Sequence, residues 1–521
     1  MKHQTLSLEE TGAFNGFFLD YISGKESLKP FYSRFPSPEN FAAQAAEKST
    51  AFDPEKRKRL HQALVRQYTG LEHTAASRSS LDALRNDNCF TIVTGHQLNL
   101  FTGPLYFIYK IVTAINACRD LNAKYPHLRF VPVYWMASED HDIDEIRYFR
   151  LHSKKYVWDT PQQGAVGRFA LKDLQALLKT IPGDLSPFLD AYRSSATLAE
   201  AVRKYVHALF GNEGLLVVDG DETELKRSFV PHMEADLFQG VASSCVSVTN
   251  AALQTAGYDP QVHVRDINLF YLGDGFRERI ERQDRSFVVV NTDIRFDESA
   301  LRKELDSHPD RFSPNVILRP LYQEAILPNV AYIGGPAENV YWLQLRELFN
   351  RSGVPFPVLL PRNFAAVLEA HVHRQFSKCG IPVAELFLAP QALANRITLR
   401  ETEHRLDTGT EQAEVDRIFI ALGERAAAID PTLQKHIAAQ AHRTLQALNG
   451  VSTKMLRAER RRQSDRIRQA LGVREALFPG GGLQERTENV LNFYQTDRNF
   501  IRTLLQALDP FEFRFHLLMY E

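Results

Sequence analysis

The sequence predicts an α/β protein in which strands alternate with helices, followed by a long helical arm. Three observations predict it. A β-branched run, Thr91-Ile92-Val93, ends in the polar turn Thr94-Gly95-His96-Gln97 and leads through Thr102-Gly103-Pro104 into an amphipathic stretch from Leu105 to Leu121. A second apolar run, Phe130 to Met136, ends directly in Ser138-Glu139-Asp140-His141-Asp142. Two strands thus carry polar groups at their carboxyl ends, where open α/β sheets bind ligands. From about 411 to 471 the chain turns rich in Ala, Gln, Glu and Arg with helical periodicity.

Composition bounds the rest. The 521 residues are 44% hydrophobic and 24% charged, a globular balance with room for two to four domains. The net charge of -1 provides no global field toward nucleic acid or an acidic membrane, so neither is expected as a partner. The four cysteines, Cys89, Cys118, Cys245 and Cys379, are scattered without C-x-x-C pairing, which argues against a disulfide framework or a cysteine zinc site. No apolar run approaches roughly 18 residues, and the first ten lack a basic region followed by an apolar one. A reducing, cytoplasmic setting is expected.

Taken in order, residues 1 to 85 read as helical, with a charged helix from about Asp53 to Tyr68. Between about 150 and 210 a strand-like piece, Lys155 to Trp158, and Pro- and Gly-punctuated helices suggest an insertion in the sheet. Strands return at Leu215 to Asp219 and at Phe287 to Val290. Ile317 to Glu324 reads as an edge strand bearing Arg319. Ala331 to Glu338 repeats the grammar of strand, glycine turn and helix start. In the arm, Pro431 separates a helix around Val415, Ile418 and Leu422 from one with Ile437, Ala441, Leu445 or Leu448, Ser452 and Met455 at three- and four-residue spacings. Two antiparallel helices are expected, either dimerising or docked on their own core. The boundaries fall at 1–385 for the core and 386–521 for the helical region, whose terminal segment returns to the core.

The chemistry-bearing strings admit two readings each. Thr94, Gly95, His96 and Gln97 could hold a phosphate at a helix N-terminus, with Gly95 and Gly103 permitting close backbone approach; equally, their side chains could simply cap the helix. Gly334, Gly335 and Glu338 repeat that pattern. Asp140, His141 and Asp142 could bind an ammonium or Mg²⁺ and shuttle a proton, or serve only as acids favouring a helix start. Arg319 and Arg362 offer forks for carboxylate or phosphate. His371 and His373 read as surface residues, and the arginines from Arg457 to Arg468 as a solvated face.

Several separated strings together resemble one family, the bacillithiol-biosynthesis cysteine-adding enzymes, BshC. They are Thr94-Gly95-His96-Gln97 with Thr102 to Tyr106 and Tyr109-Lys110; Glu139-Asp140-His141-Asp142; Gln261 to Leu269; Arg319-Pro320-Leu321; Gly335-Pro336-Ala337-Glu338 with Tyr341-Trp342; and Gln484-Glu485-Arg486. The resemblance implies a Rossmann-like core similar to class I aminoacyl-tRNA synthetases, helical insertions and a C-terminal coiled-coil domain that dimerises. It implies a ligase joining L-cysteine to glucosaminyl-malate, with ATP activating the carboxylate and Mg²⁺ as its companion. On that analogy Thr94 to Gln97 stand where the synthetases carry their first ATP signature, of whose two histidines only His96 is present, and no Lys-Met-Ser-Lys-Ser-like loop follows. His96 and Gln97 would stabilise charge on the transferred group; Asp140, His141 and Asp142 would hold the ammonium, Mg²⁺ or the attacking amine; Gly334, Gly335 and Glu338 would form the opposite wall. Two rivals stay open: a metal-dependent hydrolase or transferase built on Glu139 to Asp142, and a dimeric binding protein that senses a nucleotide.

Overall fold

The structure is a computed structural model that describes residues 1–521. The chain packs as two units. One comprises His3–Ala366 with Gly482–His516, the other Met1–Lys2, Val367–Gly481 and Leu517–Glu521. The division falls between residues 366 and 367, where the sequence reading drew it at 385.

The first unit is built on a five-stranded sheet. Its strands are β1 (Cys89–His96), β2 (Arg129–Met136), β3 (Leu216–Asp219), β9 (Asn329–Gly334) and β10 (Val358–Pro361). They pair in the order β10-β9-β1-β2-β3, and every pairing is parallel. In sequence order this is the 3-2-1-4-5 arrangement of a Rossmann sheet, and the order reverses between β1 and β9. The register brings the carboxyl ends level: His96 lies opposite Met136, Met136 opposite Asp219, Thr94 opposite Ile333 and Gly334 opposite Pro361. Strands buried on both faces read as continuous apolar runs, and β1, β2 and β9 do.

The β1–β2 crossover contains α1 (Tyr106–Lys124), whose side chains from Phe107 to Cys118 are all buried. A helix apolar almost all round must be covered on all sides, and Gly482–His516 supplies part of that cover. Asn116 Nδ2 donates to the Leu508 carbonyl at 2.6 Å, and the Leu105 N–H to the Glu488 carbonyl at 2.9 Å. Ahead of α1 the backbone takes positive φ at Phe101, Thr102 and Gly103, a strained turn held by Asn489, whose Nδ2 donates to the Phe101 and Gly103 carbonyls at 2.9 and 2.7 Å.

A separate antiparallel sheet runs β7-β6-β5-β4-β8, made of β4 (Leu269–Gly273), β5 (Phe276–Gln283), β6 (Ser286–Val289), β7 (Arg295–Phe296) and β8 (Phe312–Pro314). The run at Phe287, expected in the main sheet, belongs here; a short apolar run does not say which sheet it joins. The expected edge strand at Ile317 is instead α2 (Leu318–Ile326). Its residues 318, 321, 322 and 326 are buried at helical spacing, a period hidden in the sequence by Pro320, which is tolerated in a first turn. The turn-and-helix at Gly335 is as expected, with α3 spanning Pro336–Leu343.

In the second unit, α4 (Gly409–Ile429) and α5 (Leu433–Arg462) form an antiparallel pair. Gln412 Nε2 donates to Asn449 Oδ1 at 2.9 Å near one end, and Gly423 faces Ile437 near the other. On α5 the expected residues Ile437, Ala441, Leu445, Leu448, Ser452 and Met455 are half-buried, with Ser452 Oγ donating to the Leu406 carbonyl at 2.7 Å. On α4 the seam uses Val415, Phe419 and Gly423, while Ile418 and Leu422 turn outward. No side chain of α4 is fully buried. His373, expected at the surface, is buried, and its Nδ1 lies 2.8 Å from the Tyr520 carbonyl.

Candidate functional site

At the carboxyl edge of the parallel sheet, over the point where strand order reverses, lies a cavity of about 920 Å³. Gly95, His96 and Gln97 leave β1, Ala137, Glu139 and Asp140 leave β2, Gly335 leaves β9 and Arg362 leaves β10; all line it. This is the position at which Rossmann sheets bind ligands.

His96 is the least ordinary group there. Burial, reinforced by the Lys110 charge, holds its imidazole down at about 3, so it is neutral at any physiological pH. Its ring packs edge-on against Tyr106, and its Nε2 is buried without a protein partner. A neutral imidazole with an unused nitrogen offers a hydrogen bond, not a cation.

The Lys110 ammonium, 3% exposed, forms a 2.5 Å ion pair with Glu338 and donates to the Gly95 carbonyl at 2.8 Å. Glu338 also accepts from Tyr332 at 2.6 Å and from the Gly335 N–H at 2.8 Å, the returning half of a capping box at the start of α3. Although burial opposes it, Lys110 keeps the Glu338 carboxyl below its ordinary range. Glu338 is therefore fully engaged by the protein.

The acidic string divides. The Glu139 carboxylate pairs with the wholly buried Lys226, which also sits 3.4 Å from Asp221. Burial raises the Glu139 carboxyl and Lys226 opposes the rise. Asp140 accepts from Gln97 Nε2 at 2.8 Å, and the same amide reaches Glu145 at 2.6 Å. His141 Nδ1 lies 3.0 Å from Arg277 Nη1, a donor, so the imidazole accepts there; burial and the Arg277 charge both lower its basicity. His141 and Asp142 do not line the cavity. Asp142 is exposed at the N-cap of the short helix Ile143–Ile146.

Other expected contacts become structural. Thr94 Oγ1 donates to the Ile333 carbonyl at 3.0 Å inside the sheet. The Gly334 carbonyl accepts from the Arg362 N–H at 2.9 Å and from Asn339 Nδ2 at 3.0 Å. Gly103 does not line the cavity, and a Cβ there would stand 2.6 Å from Asn99 Cβ; it serves packing, not ligand approach. At the start of α1 the Leu105 N–H is taken by the Glu488 carbonyl at 2.9 Å. Arg362 gives its fork to Glu485 in a bidentate pair at 2.6 and 2.8 Å, stacked on Phe364. Gly95 lines the cavity, and a Cβ there would approach the Tyr332 hydroxyl at 3.3 Å and Arg319 Nη1 at 3.6 Å.

Arg319 and Arg277 are half-buried guanidinium groups in the cavity wall with no carboxylate within ion-pair distance; the exposed Arg265 and Arg486, which also line it, have none either. Arg277 lies over the Phe270 ring at 3.9 Å and donates to Ser313 and Pro314. Lys110, quoted above only within the resemblance, carries one signal of its own, a lone lysine in the apolar stretch from Leu105 to Ile115; Arg277, in the charged run Phe276-Arg277-Glu278-Arg279, carries none. Among His, Cys, Asp and Glu side chains no group of three or more is arranged to hold a metal, because Lys226, Gln97 and Arg277 occupy Glu139, Asp140 and His141. The metal-dependent hydrolase reading loses its ligand set. No helix is long and apolar enough to cross a membrane.

Comparison with known proteins agrees with this fold from end to end. Residues 1–363 match the model of the bacillithiol biosynthesis BshC N-terminal Rossmann-like domain, and residues 365–520 that of the BshC C-terminal coiled-coil domain. A Cytophaga hutchinsonii protein named "putative cysteine ligase BshC" is 39% identical over 518 residues, 99% of either chain. One of the same name from Flavobacterium psychrophilum is 38% identical over 530 residues, again 99% of either chain. A solved structure named as a putative arginyl-tRNA synthetase from Campylobacter jejuni covers 80% of this chain at 12% identity, but its TM-score of 0.20 supports no argument. With a Rossmann sheet, a helical second unit and relatives matched over nearly their whole length, the chain belongs to the BshC family of bacillithiol biosynthesis.

Proposed function

We propose that the protein is a cytoplasmic ligase that joins the carboxylate of L-cysteine to the amine of glucosaminyl-malate. The observation that carries this reading is the cavity at the switch point, placed in a chain similar over 99% of its length to a protein named as a cysteine ligase. Carboxylate and amine do not condense usefully in water, so the carboxylate requires activation, for which ATP with Mg²⁺ is the proposed source. A cysteine carboxylate oxygen attacks a phosphorus atom of ATP, releasing pyrophosphate or ADP. The amine nitrogen then attacks the acyl carbon, the carbon–oxygen bond to phosphate breaks, and one amine proton leaves.

The residues suit those steps unequally. Neutral His96 supplies a preorganised hydrogen bond to charge developing on the acyl or phosphoryl oxygen without bringing a proton that the amine would compete for. Gln97 orients Asp140 and Glu145, and Asp140 faces the cavity to receive an ammonium. Glu139, the buried carboxylate there with the fewest hydrogen bonds, is the group suited to take the proton of the attacking amine. Thr94, Gly334 and Asp142 carry no part in it.

Four buried free cysteines suit a reducing compartment. We also assign a homodimer to α4 and α5. Ile418, Leu422 and Ile429 follow one another at helical spacing on the face away from α5, at 58, 38 and 82% exposure, a stripe that a second copy would cover.

The test is mass spectrometry of L-cysteine, glucosaminyl-malate, ATP and Mg²⁺ incubated with purified protein, following AMP and ADP. The cysteinyl amide should appear with wild type and fall steeply with His96→Ala and Glu139→Gln. Unchanged ATP and no amide from folded wild-type dimer would reject the reading, leaving a protein that senses a nucleotide as its rival.

A further inference from the structure

Arg319 stands in the cavity wall without a carboxylate partner, its guanidinium 5.5 and 5.8 Å from the centroids of the Tyr332 and Trp342 rings, which stack on each other at 4.4 Å. Ring faces hold a guanidinium plane but do not fix its rotation within that plane. A buried acceptor lies one turn further along α2, where Gln323 Oε1 accepts from Arg319 Nη1 at 3.1 Å, with Tyr341 as a second hydrogen-bond partner.

A glutamine amide has nearly the same shape either way round, so which end meets Arg319 depends on its other neighbours. Gln323 is fully buried, and its Nε2 donates to Glu324 Oε1 at 2.8 Å. A carboxylate only accepts, so the amide nitrogen must face Glu324 and the carbonyl oxygen must face Arg319. Glu324 is itself pinned. Asn329 Nδ2 on β9 donates to the same oxygen at 2.6 Å, and Thr91 on β1 donates to Asn329 at 3.2 Å. Lys48 Nζ, 1% exposed, donates to the Glu324 carbonyl at 2.6 Å and lies 3.7 Å from its carboxylate. Donors from Lys48, Asn329 and Gln323 therefore converge on Glu324, which leaves the Gln323 amide one orientation toward Arg319, and the anchors include the two strands that flank the switch point.

We propose that Gln323 and Glu324 are positioning residues that aim the Arg319 guanidinium into the cavity, where it binds an anionic group of a substrate. This rests on the ligase reading only for the reaction in which it is assayed. A carboxylate of the amino-sugar acid, the carboxylate of cysteine and a phosphate of ATP share that chemistry, and the KM that responds tells which one Arg319 meets.

The experiment compares Gln323→Met, Gln323→Glu, Arg319→Met and the Gln323→Met/Arg319→Met double variant, with KM measured for each of the three substrates. Gln323→Met removes the acceptor at nearly constant volume and should raise one KM by roughly tenfold, the worth of one hydrogen bond to a charged group. Gln323→Glu should recover most of it, since a proton shared with Glu324 leaves an oxygen toward Arg319. The double variant should be no worse than Arg319→Met alone. Additive losses, or three unchanged KM values, would overturn the proposal. Crystal structures of wild type and Gln323→Met separate it from the ligase reading: without any turnover, Arg319 should still leave its place beside Gly95, and an unmoved guanidinium refutes the positioning. Should Gln323→Met not fold, Glu324→Gln frees the Gln323 amide to turn and is expected to show the same shift of Arg319.

Discussion

The pair Arg362–Glu485 ties the segment after residue 482 to the carboxyl end of β10, and its removal should be among the most damaging single changes to the first unit. Both side chains are within 2% of complete burial. Replacing Glu485 by Leu keeps volume near the guanidinium but removes both bonds, leaving Arg362 with the Asn363 carbonyl as its hydrogen-bond partner at 2.9 Å. Two bonds to a charged group are worth roughly 1.5–3 kcal/mol each, and a buried ion left without its partner costs about 3–5 kcal/mol. We expect about 4 kcal/mol. The assay is equilibrium urea unfolding of the full chain by tryptophan fluorescence, which reads this unit alone because all three tryptophans, Trp135, Trp158 and Trp342, lie in it. In the double variant Arg362→Met/Glu485→Leu no charge is stranded, so stability should return to within about 1–2 kcal/mol of wild type. A Glu485→Leu protein within about 1 kcal/mol of wild type, or a double variant worse than either single change, would refute the reasoning.

Three further outcomes follow from the geometry. The His96 ring should show no titration by NMR between pH 5 and 8; because its folded value lies near 3 and its unfolded value at 6.5, its contribution to stability is complete above 6.5 and lost as pH falls toward 3. A transition near 6.5 would show the site to be wet. Gly103→Ala forces a side chain into φ 63°, ψ −139° and onto Asn99, and should lower the urea-unfolding free energy by about 3 kcal/mol; a neutral result would mean that the turn before α1 is free to move. Ile418→Glu should convert a dimer to monomer in sedimentation velocity while leaving protomer helicity by circular dichroism intact, since the residue is exposed within the protomer; a persistent dimer places the interface elsewhere.

What the sequence disclosed was periodicity and punctuation. Strands buried on both faces, such as Thr91 to Thr94 and Phe130 to Met136, are legible because covering both faces leaves no place for a polar residue, and the residues at their ends inherit the carboxyl edge of the sheet. That is why His96, Gln97, Asp140, Gly335 and Arg362 were found and do meet in one cavity. Contacts across the fold left no such trace. Arg362 reads as a free fork until Glu485, over a hundred residues away, takes it, and Arg277 reaches the cavity from a second sheet whose strands resemble surface hairpins. Ile317 to Glu324 was misread as a strand because Pro320 hides the helical period. At Thr94 and Gly334 the sequence signal is ambiguous, since a polar or glycine residue at a strand end serves the sheet's own hydrogen bonds as readily as a ligand.

The electrostatics of the cavity follow from the same topology. Five parallel strands end level, and what leaves them must either satisfy its own polar groups or wait for a ligand. Lys110 with Glu338, Lys226 with Glu139, and Arg362 with Glu485 neutralise one another, so three buried cations spend their charge within the protein. His96 adds none, being held neutral by the ammonium of Lys110 and by burial. The uncompensated charge is thereby left on the half-buried Arg319 and Arg277 and on the exposed Arg265 and Arg486, which also line the cavity. Were every basic residue near the cavity free, anions would bind it diffusely; pairing Lys110, Lys226 and Arg362 within the protein narrows that attraction to the guanidinium groups left unpaired, and so gives it the direction that a reaction between a carboxylate and an amine requires if the activated carbon is to meet the nitrogen.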